Sequence, residues 1–150
     1  LFRSYIIIDN PPTLGLLTVN GLVAADSVLI PVQAEYYSLE GLGQLMQTVD
    51  MVRQSIKPEL EIMGAVITMF DTRTKLSRQV LEELYAHFPE KIFRSVIPRS
   101  VRLAEAPSYG QSILQFDPTC KAGCAYERLA KEFLIREDTP IAITQKDTVV

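Results

Sequence analysis

The chain is poor in the residues that build metal centres and cross-links: two cysteines and one histidine in 150 residues. Cys120 and Cys124 lie four apart in a helical pattern, on roughly one face, and that spacing does not favour a disulfide. A metal centre needs more ligands than this pair, and His87 falls on another element. The pair reads as two small thiols of a reducing compartment. No apolar run approaches the roughly 18 residues of a membrane span. The chain opens with neither an initiator Met nor a signal-peptide pattern, so secretion and membrane spanning are unsupported. With 15 Lys and Arg against 18 Asp and Glu the net charge is −3, so there is no global pull toward polyanions. Any nucleic-acid contact must come from a local patch. No Gly-x-x-x-x-Gly-Lys-Ser/Thr loop occurs, so a phosphate cradle of that type is missing.

What is present alternates. Strand-like apolar runs occupy Ser4–Asp9, Ser27–Val32, Ile62–Met69 and Ile92–Ile97. Between them Leu39, Leu42, Met46, Val49, Val52 and Ile56 fall at helical spacing, as do Leu76, Val80, Leu81, Leu84, Tyr85 and Phe88. A last stripe of Ala122, Ala125, Tyr126, Leu129, Ala130, Phe133 and Leu134 lies opposite Glu127, Arg128, Lys131 and Glu132. This alternation predicts an α/β fold, a mostly parallel doubly wound sheet with helices on both faces. Residues 1–136 are expected to belong to one domain, and 137–150, which lose the periodicity, to a loose tail.

The most informative segment is Tyr5-Ile6-Ile7-Ile8-Asp9-Asn10-Pro11-Pro12. A β-branched run ending in an aspartate reads as a buried parallel strand delivering a carboxylate to the carboxyl edge of a sheet. In nucleotide-binding α/β folds that edge holds phosphates and Mg²⁺. Asp9 there would hold a Mg²⁺-bound water; the alternative is a capping aspartate at a strand–turn–helix junction. Glu35, Tyr36 and Tyr37 follow the second strand at the same edge, with Ser38 placed to N-cap the next helix. They read either as a contact surface or as a helix start with aromatic packing. Arg99 and Arg102 put two guanidinium groups in one short turn, suited to bidentate phosphate contact.

Four segments in order carry a family resemblance: YIIIDNPPTLGLLTVNGL, ADSVLIPVQAEYYSLEGL, ITMFDTRTKLSRQV and VIPRSVRLAEAPSYGQSILQFDPTCKAG. Together, from about Tyr5 to Phe133, they closely resemble ParA/Soj-type partition ATPases, the deviant Walker-A P-loop proteins that segregate chromosomes and plasmids. The resemblance implies an incomplete P-loop NTPase-like sheet, with Asp9 as a Walker-B-type residue and Pro11 in the turn that begins the switch segment. It implies that Met69, Asp71, Ile97 and Pro98 frame the nucleotide base, with a simple core role as the alternative for Met69. It places Glu35, Tyr36 and Tyr37 near the face that meets a second subunit. It also implies nonspecific DNA binding by Arg99 and Arg102, and by Lys121 where the family carries arginine. Asn10 stands where the family usually has cysteine. The string Glu105-Ala106-Pro107-Ser108 is diagnostic of the family and reads as a proline-fixed turn.

The implied function is an ATP- and Mg²⁺-dependent cytoplasmic, nucleoid-associated switch. It forms a homodimer with ATP, binds double-stranded DNA and is stimulated by a ParB-like partner, with no membrane step. The lysines and Mg²⁺-binding hydroxyl of the family's P-loop are not in this chain, so it is expected to be inactive alone. Its Asp9 strand is expected either to lack a partner or to pair directly with Ser27–Val32, with reduced stability or aggregation as the result. A non-catalytic interaction module is the alternative. A MinD-like membrane-cycling ATPase ranks last, because the final segment lacks a basic amphipathic helix.

Overall fold

The computed structural model describes residues 5–11, 13 and 15–138, excepting the side chains of His87 and Asp138. The element order is α1 (Leu16–Ala24), β1 (Ser27–Gln33), α2 (Ser38–Ser55), β2 (Glu61–Thr68), α3 (Lys75–His87), α4 (Val101–Glu105), α5 (Ile113–Phe116) and α6 (Lys121–Asp138). The chain divides into two compact units, residues 1–28 with 40–62 and residues 29–39 with 63–150.

β1 and β2 pair in a sheet. The Glu61 amide donates to the Asp26 carbonyl at the strand starts, and the Ala34 amide to the Thr68 carbonyl at their ends, so the strands run parallel. Residues 91–99 add a third parallel segment through the bridges Ala65–Ile92 and Phe70–Pro98. β2 is therefore central, and residues 62 to 67 are buried without a break, as both faces of an inner strand require.

The predicted strand over Ile92–Ile97 is not continuous. The Phe93 and Ile97 amides reach the Ala65 and Ile67 carbonyls, but the Arg94 and Ser95 amides turn away to the Glu132 carboxylate, at 2.7 and 2.9 Å. A charged acceptor on α6 has outcompeted the ladder.

The strand predicted over Ser4–Asp9 is not found in the described residues. Tyr5–Asn10 form neither helix nor strand, and Ile6 and Ile7 are 91% and 87% exposed. A β-branched run supplies propensity but no partner edge, and an unpaired strand does not hold its backbone extended against water. Among the described residues no pairing with β1 forms in its place.

In the second unit Met63, Val66, Phe93, Ile97 and Ala125 form a core, with Leu29, Leu103, Leu129 and Phe133 packed on it. Met63 and Val66 are three apart yet share this cluster. Between them Gly64 takes φ +152°, which breaks the strict alternation of the strand. α6 contributes Ala125, Leu129 and Phe133 at the predicted spacing, whereas Tyr126 and Leu134 of that stripe are partly exposed. α3 starts at an N-cap, where the Thr74 hydroxyl accepts from the Ser77 amide, and buries Val80 and Leu84. α2 buries Leu42, Thr48, Val49 and Val52. α6 continues through Glu137 and Asp138, two residues past the predicted end, and 139–150 lie outside the described residues.

Candidate functional site

Asp9 and Pro11 lie in the first unit, both exposed, and Pro12 falls outside the described residues. Asn10 approaches α1 so closely that a Cβ at Gly21 would collide with its side-chain amide. The remaining predicted residues belong to the second unit.

There β1 ends in a tight turn in which the Glu35 amide donates to Gln33 O and the Ser38 amide to Glu35 O. Ser38 is the first residue of α2 rather than its cap. Tyr36 and Tyr37 are 71% and 81% exposed and pack edge-to-face with ring centroids 5.6 Å apart. The turn leaves both rings mostly in solvent, with their largest apolar surfaces uncovered.

β2 ends at Thr68, and Met69 just after it takes the left-handed conformation, φ +53°, and is 41% exposed. A non-glycine residue held there costs on the order of 1 kcal/mol, and here it breaks the strand one residue before the Phe70–Pro98 bridge. Asp71 begins the next turn. Its carboxylate accepts from the Arg73 amide at 3.0 Å and from Arg73 Nε and Nη2 at 3.0 and 2.7 Å. These bonds, with smaller help from the Arg99 charge, hold its carboxyl at about 2, below its ordinary value of 3.8. Ile97, predicted beside the base, has its side chain in the core at 2% exposure, and Pro98 next to it is half-buried.

The basic residues sit in carboxylate company. Arg99 Nη2 lies 2.5 Å from Glu35 Oε1, which ties the loop after residue 98 to the turn after β1. Arg102, on α4, lies 3.1 Å from Glu105 and 3.6 Å from Asp117, with its guanidinium 6.0 Å from the centre of the Phe116 ring. Phe116 in turn stacks on Tyr109 at 5.1 Å. Ala106–Tyr109 form a 3-10 turn with proline in its first positions, ended by Gly110 in the left-handed conformation. The diagnostic Glu105-Ala106-Pro107-Ser108 string is thus the turn that carries the chain from Arg102 toward Asp117. Lys121 opens α6 and is exposed, four residues beyond Asp117. Cys120 serves as a local acceptor for the Gly123 amide at 3.2 Å, and both cysteines are free.

The structure therefore brings Glu35, Asp71, Arg73 and Arg99 into one charged group, and Arg102, Glu105 and Asp117 into another. Arg73 was missed by the sequence reasoning. Its side chain is 86% exposed, and the only signal was an arginine two residues after a strand-ending aspartate.

A family model described as an AAA domain matches residues 4–62. The chromosome partitioning protein ParA of Caulobacter vibrioides is 50% identical over 134 residues, which cover 89% of this chain and 50% of that protein. The sporulation initiation inhibitor protein Soj of Bacillus subtilis is 54% identical over 129 residues, covering 86% of this chain and 51% of that protein. The chain belongs to the ParA/Soj-type family. It spans about half the length of these relatives. Among solved structures, cobyrinic acid a,c-diamide synthase from Mycobacterium smegmatis with bound ADP and magnesium superposes with a TM-score of 0.69 at 31% identity, covering 87% of this chain and 46% of that one. McdA of Cyanothece, in its ATP complex, has the same fold at 20% identity, with a TM-score of 0.60 over 85% of this chain and 47% of that one. A ParA/Soj-type chain thus shows the expected mixed α/β architecture with parallel strands. Among the described residues no helix is long and apolar enough to cross a membrane.

As a nucleotide site the described residues are incomplete. They offer one carboxylate, Asp9, on an exposed irregular segment, and the sequence contributes no Gly-x-x-x-x-Gly-Lys-Ser/Thr loop whose amides would cradle phosphates. These residues do not by themselves fit Mg²⁺-ATP.

Proposed function

We propose that this chain is the DNA-contacting part of a partitioning ATPase of the ParA/Soj type. In a protein of full family length, ATP and Mg²⁺ would drive homodimerisation and nonspecific binding to double-stranded DNA on the nucleoid. A ParB-like partner would stimulate hydrolysis and release. In that protein Asp9 is the Mg²⁺-side carboxylate, Met69, Asp71 and Pro98 lie toward the base, and Tyr36 and Tyr37 face the second subunit.

One observation carries the reading: Arg99 and Arg102 flank one short loop, with Arg73 beside the first and the Asp117–Lys121 segment beside the second. Arg99 and Arg102 are held by the exposed carboxylates of Glu35 and Glu105, pairings worth at most about 1 kcal/mol, which a phosphate displaces readily. The carboxylates keep the patch close to neutral until a denser anion replaces them.

The test is duplex binding at two salt concentrations, with this chain compared to a chimaera carrying a relative's phosphate-binding segment ahead of Leu1. Arg102→Ala is expected to weaken binding and flatten the salt slope by about 0.9 for the lost phosphate contact. Asp117→Asn is expected to strengthen it by releasing Arg102. Binding that ignores both substitutions would overturn the assignment.

The exposed, irregular Asp9 segment favours a second reading, a non-catalytic module that keeps the DNA or partner surface. ATP hydrolysis by the chimaera, lost on Asp9→Asn, would exclude that reading for the full-length protein.

A further inference from the structure

Arg73, Arg99, Arg102 and Arg136 are each matched by a carboxylate. Arg94 and Arg128 behave differently. Both are exposed, neither is in an ion pair among the described residues, and together with Ser95 and Val96 they line one cleft of about 390 Å³.

The backbone sets this convergence. Glu132 takes the amides of Arg94 and Ser95 on its two carboxylate oxygens, which pins that segment against α6. Arg128 lies one turn before Glu132 on the same helix, and residues four apart share a face. The clamp therefore fixes the base of the Arg94 side chain beside Arg128, so little order remains to be imposed when a ligand arrives.

Nearby negative charge is already committed. Glu132 lies 3.1 Å from Arg136, and Glu127 lies 2.8 Å from Lys131. Two arginines thus line the cleft with no carboxylate paired to them among the described residues. Ser95, 8% exposed, also lines it, and its hydroxyl donates to no other described group. A single carboxylate would match one guanidinium fork. A tetrahedral group carrying up to two negative charges and several acceptor oxygens matches both forks and the hydroxyl.

We propose that the Arg94–Arg128 cleft is a phosphate-binding site, separate from the Arg99 and Arg102 patch. The phosphate comes either from the backbone of a nucleic acid or from a small phosphorylated molecule. Amide and guanidinium NMR of the 150-residue chain, titrated with inorganic phosphate at ionic strength held constant with chloride and then with a mixed-sequence duplex, tests it.

Saturable shifts at the Ser95 and Val96 amides and at the Arg94 and Arg128 Nε–H groups are expected. Arg128→Gln should weaken them about tenfold, the loss of one charge-assisted hydrogen bond, while Arg78→Gln, at an exposed arginine outside both patches, leaves the phosphate response unchanged. Shifts here with duplex at far lower concentration than with phosphate assign the site to a nucleic-acid backbone. Shifts with phosphate alone assign it to a small ligand. No saturable shift with either probe, or shifts that persist in the Arg94→Gln/Arg128→Gln double variant, would overturn the proposal. Both side chains are exposed, and unchanged spectra elsewhere confirm that the variants fold.

Discussion

Glu132 and Arg136, one turn apart on α6 with side chains 18% and 7% exposed, work as a single clamp on the sheet. The carboxylate takes the Arg94 and Ser95 amides, and the guanidinium donates to the Met63 and Ile92 carbonyls while lying 4.0 Å over the Phe93 ring. Arg136→Ala would leave Glu132 largely buried without its cation and remove the ring contact. A loss of about 3 kcal/mol is expected in urea unfolding, since breaking a buried pair from one side costs more than the pair contributes. Arg136→Lys should recover only part of it, because an ammonium has no planar fork to serve two carbonyls and a carboxylate.

Gly64 makes room for that clamp. A Cβ there would collide with the Lys91 carbonyl and sit 3.0 Å from Arg136 Nη1, at a φ of +152° that L side chains rarely adopt. Gly64→Ala should therefore destabilise by more than about 2 kcal/mol, with the unfolding midpoint as the readout. An unchanged midpoint would mean that the strand relaxes around the methyl group.

The Asp71 carboxyl, held at about 2 by Arg73, gives a pH signature. Because its folded value is depressed, the pair's stabilisation is fully present above the ordinary value of 3.8 and is lost as pH falls toward about 2. Carboxyl-carbon NMR of Asp71 should show this low midpoint. Arg73→Ala should move the midpoint up toward 3.8 with little change in stability at neutral pH, since Arg73 is solvent-exposed.

The run Tyr5–Ile8 exposes large apolar side chains in a β-prone sequence. Contiguous exposed apolar surface of this kind drives self-association. Sedimentation of the chain should show concentration-dependent oligomers, and an Ile6→Lys/Ile7→Asp double variant should shift the distribution toward monomer. A monodisperse monomer at all concentrations would refute this.

Several features were legible from residue order. The spacing of Val80 with Leu84 and of Ala125 with Leu129 located α3 and α6, because helical periodicity reports which face meets a core whatever that core contains. The apolar run at 62–69 marked a strand, and the structure made it the central one.

Other features were not legible. Glu132 looked like part of the solvent face of α6, yet it is half-buried and holds two amides. Asp71 looked available to a ligand, and it is occupied by Arg73. The sequence by itself determined the β/α alternation, the positions of the apolar stripes and the absence of a phosphate-binding loop, since these depend only on the order of residue types. Only the tertiary structure decided that Tyr5–Asp9 forms no strand, that Glu35 holds Arg99 across 64 residues, and that Arg94 is pinned beside Arg128. Strand pairing and ion pairing require a partner brought from far along the chain, and local pattern carries no information about which partner arrives.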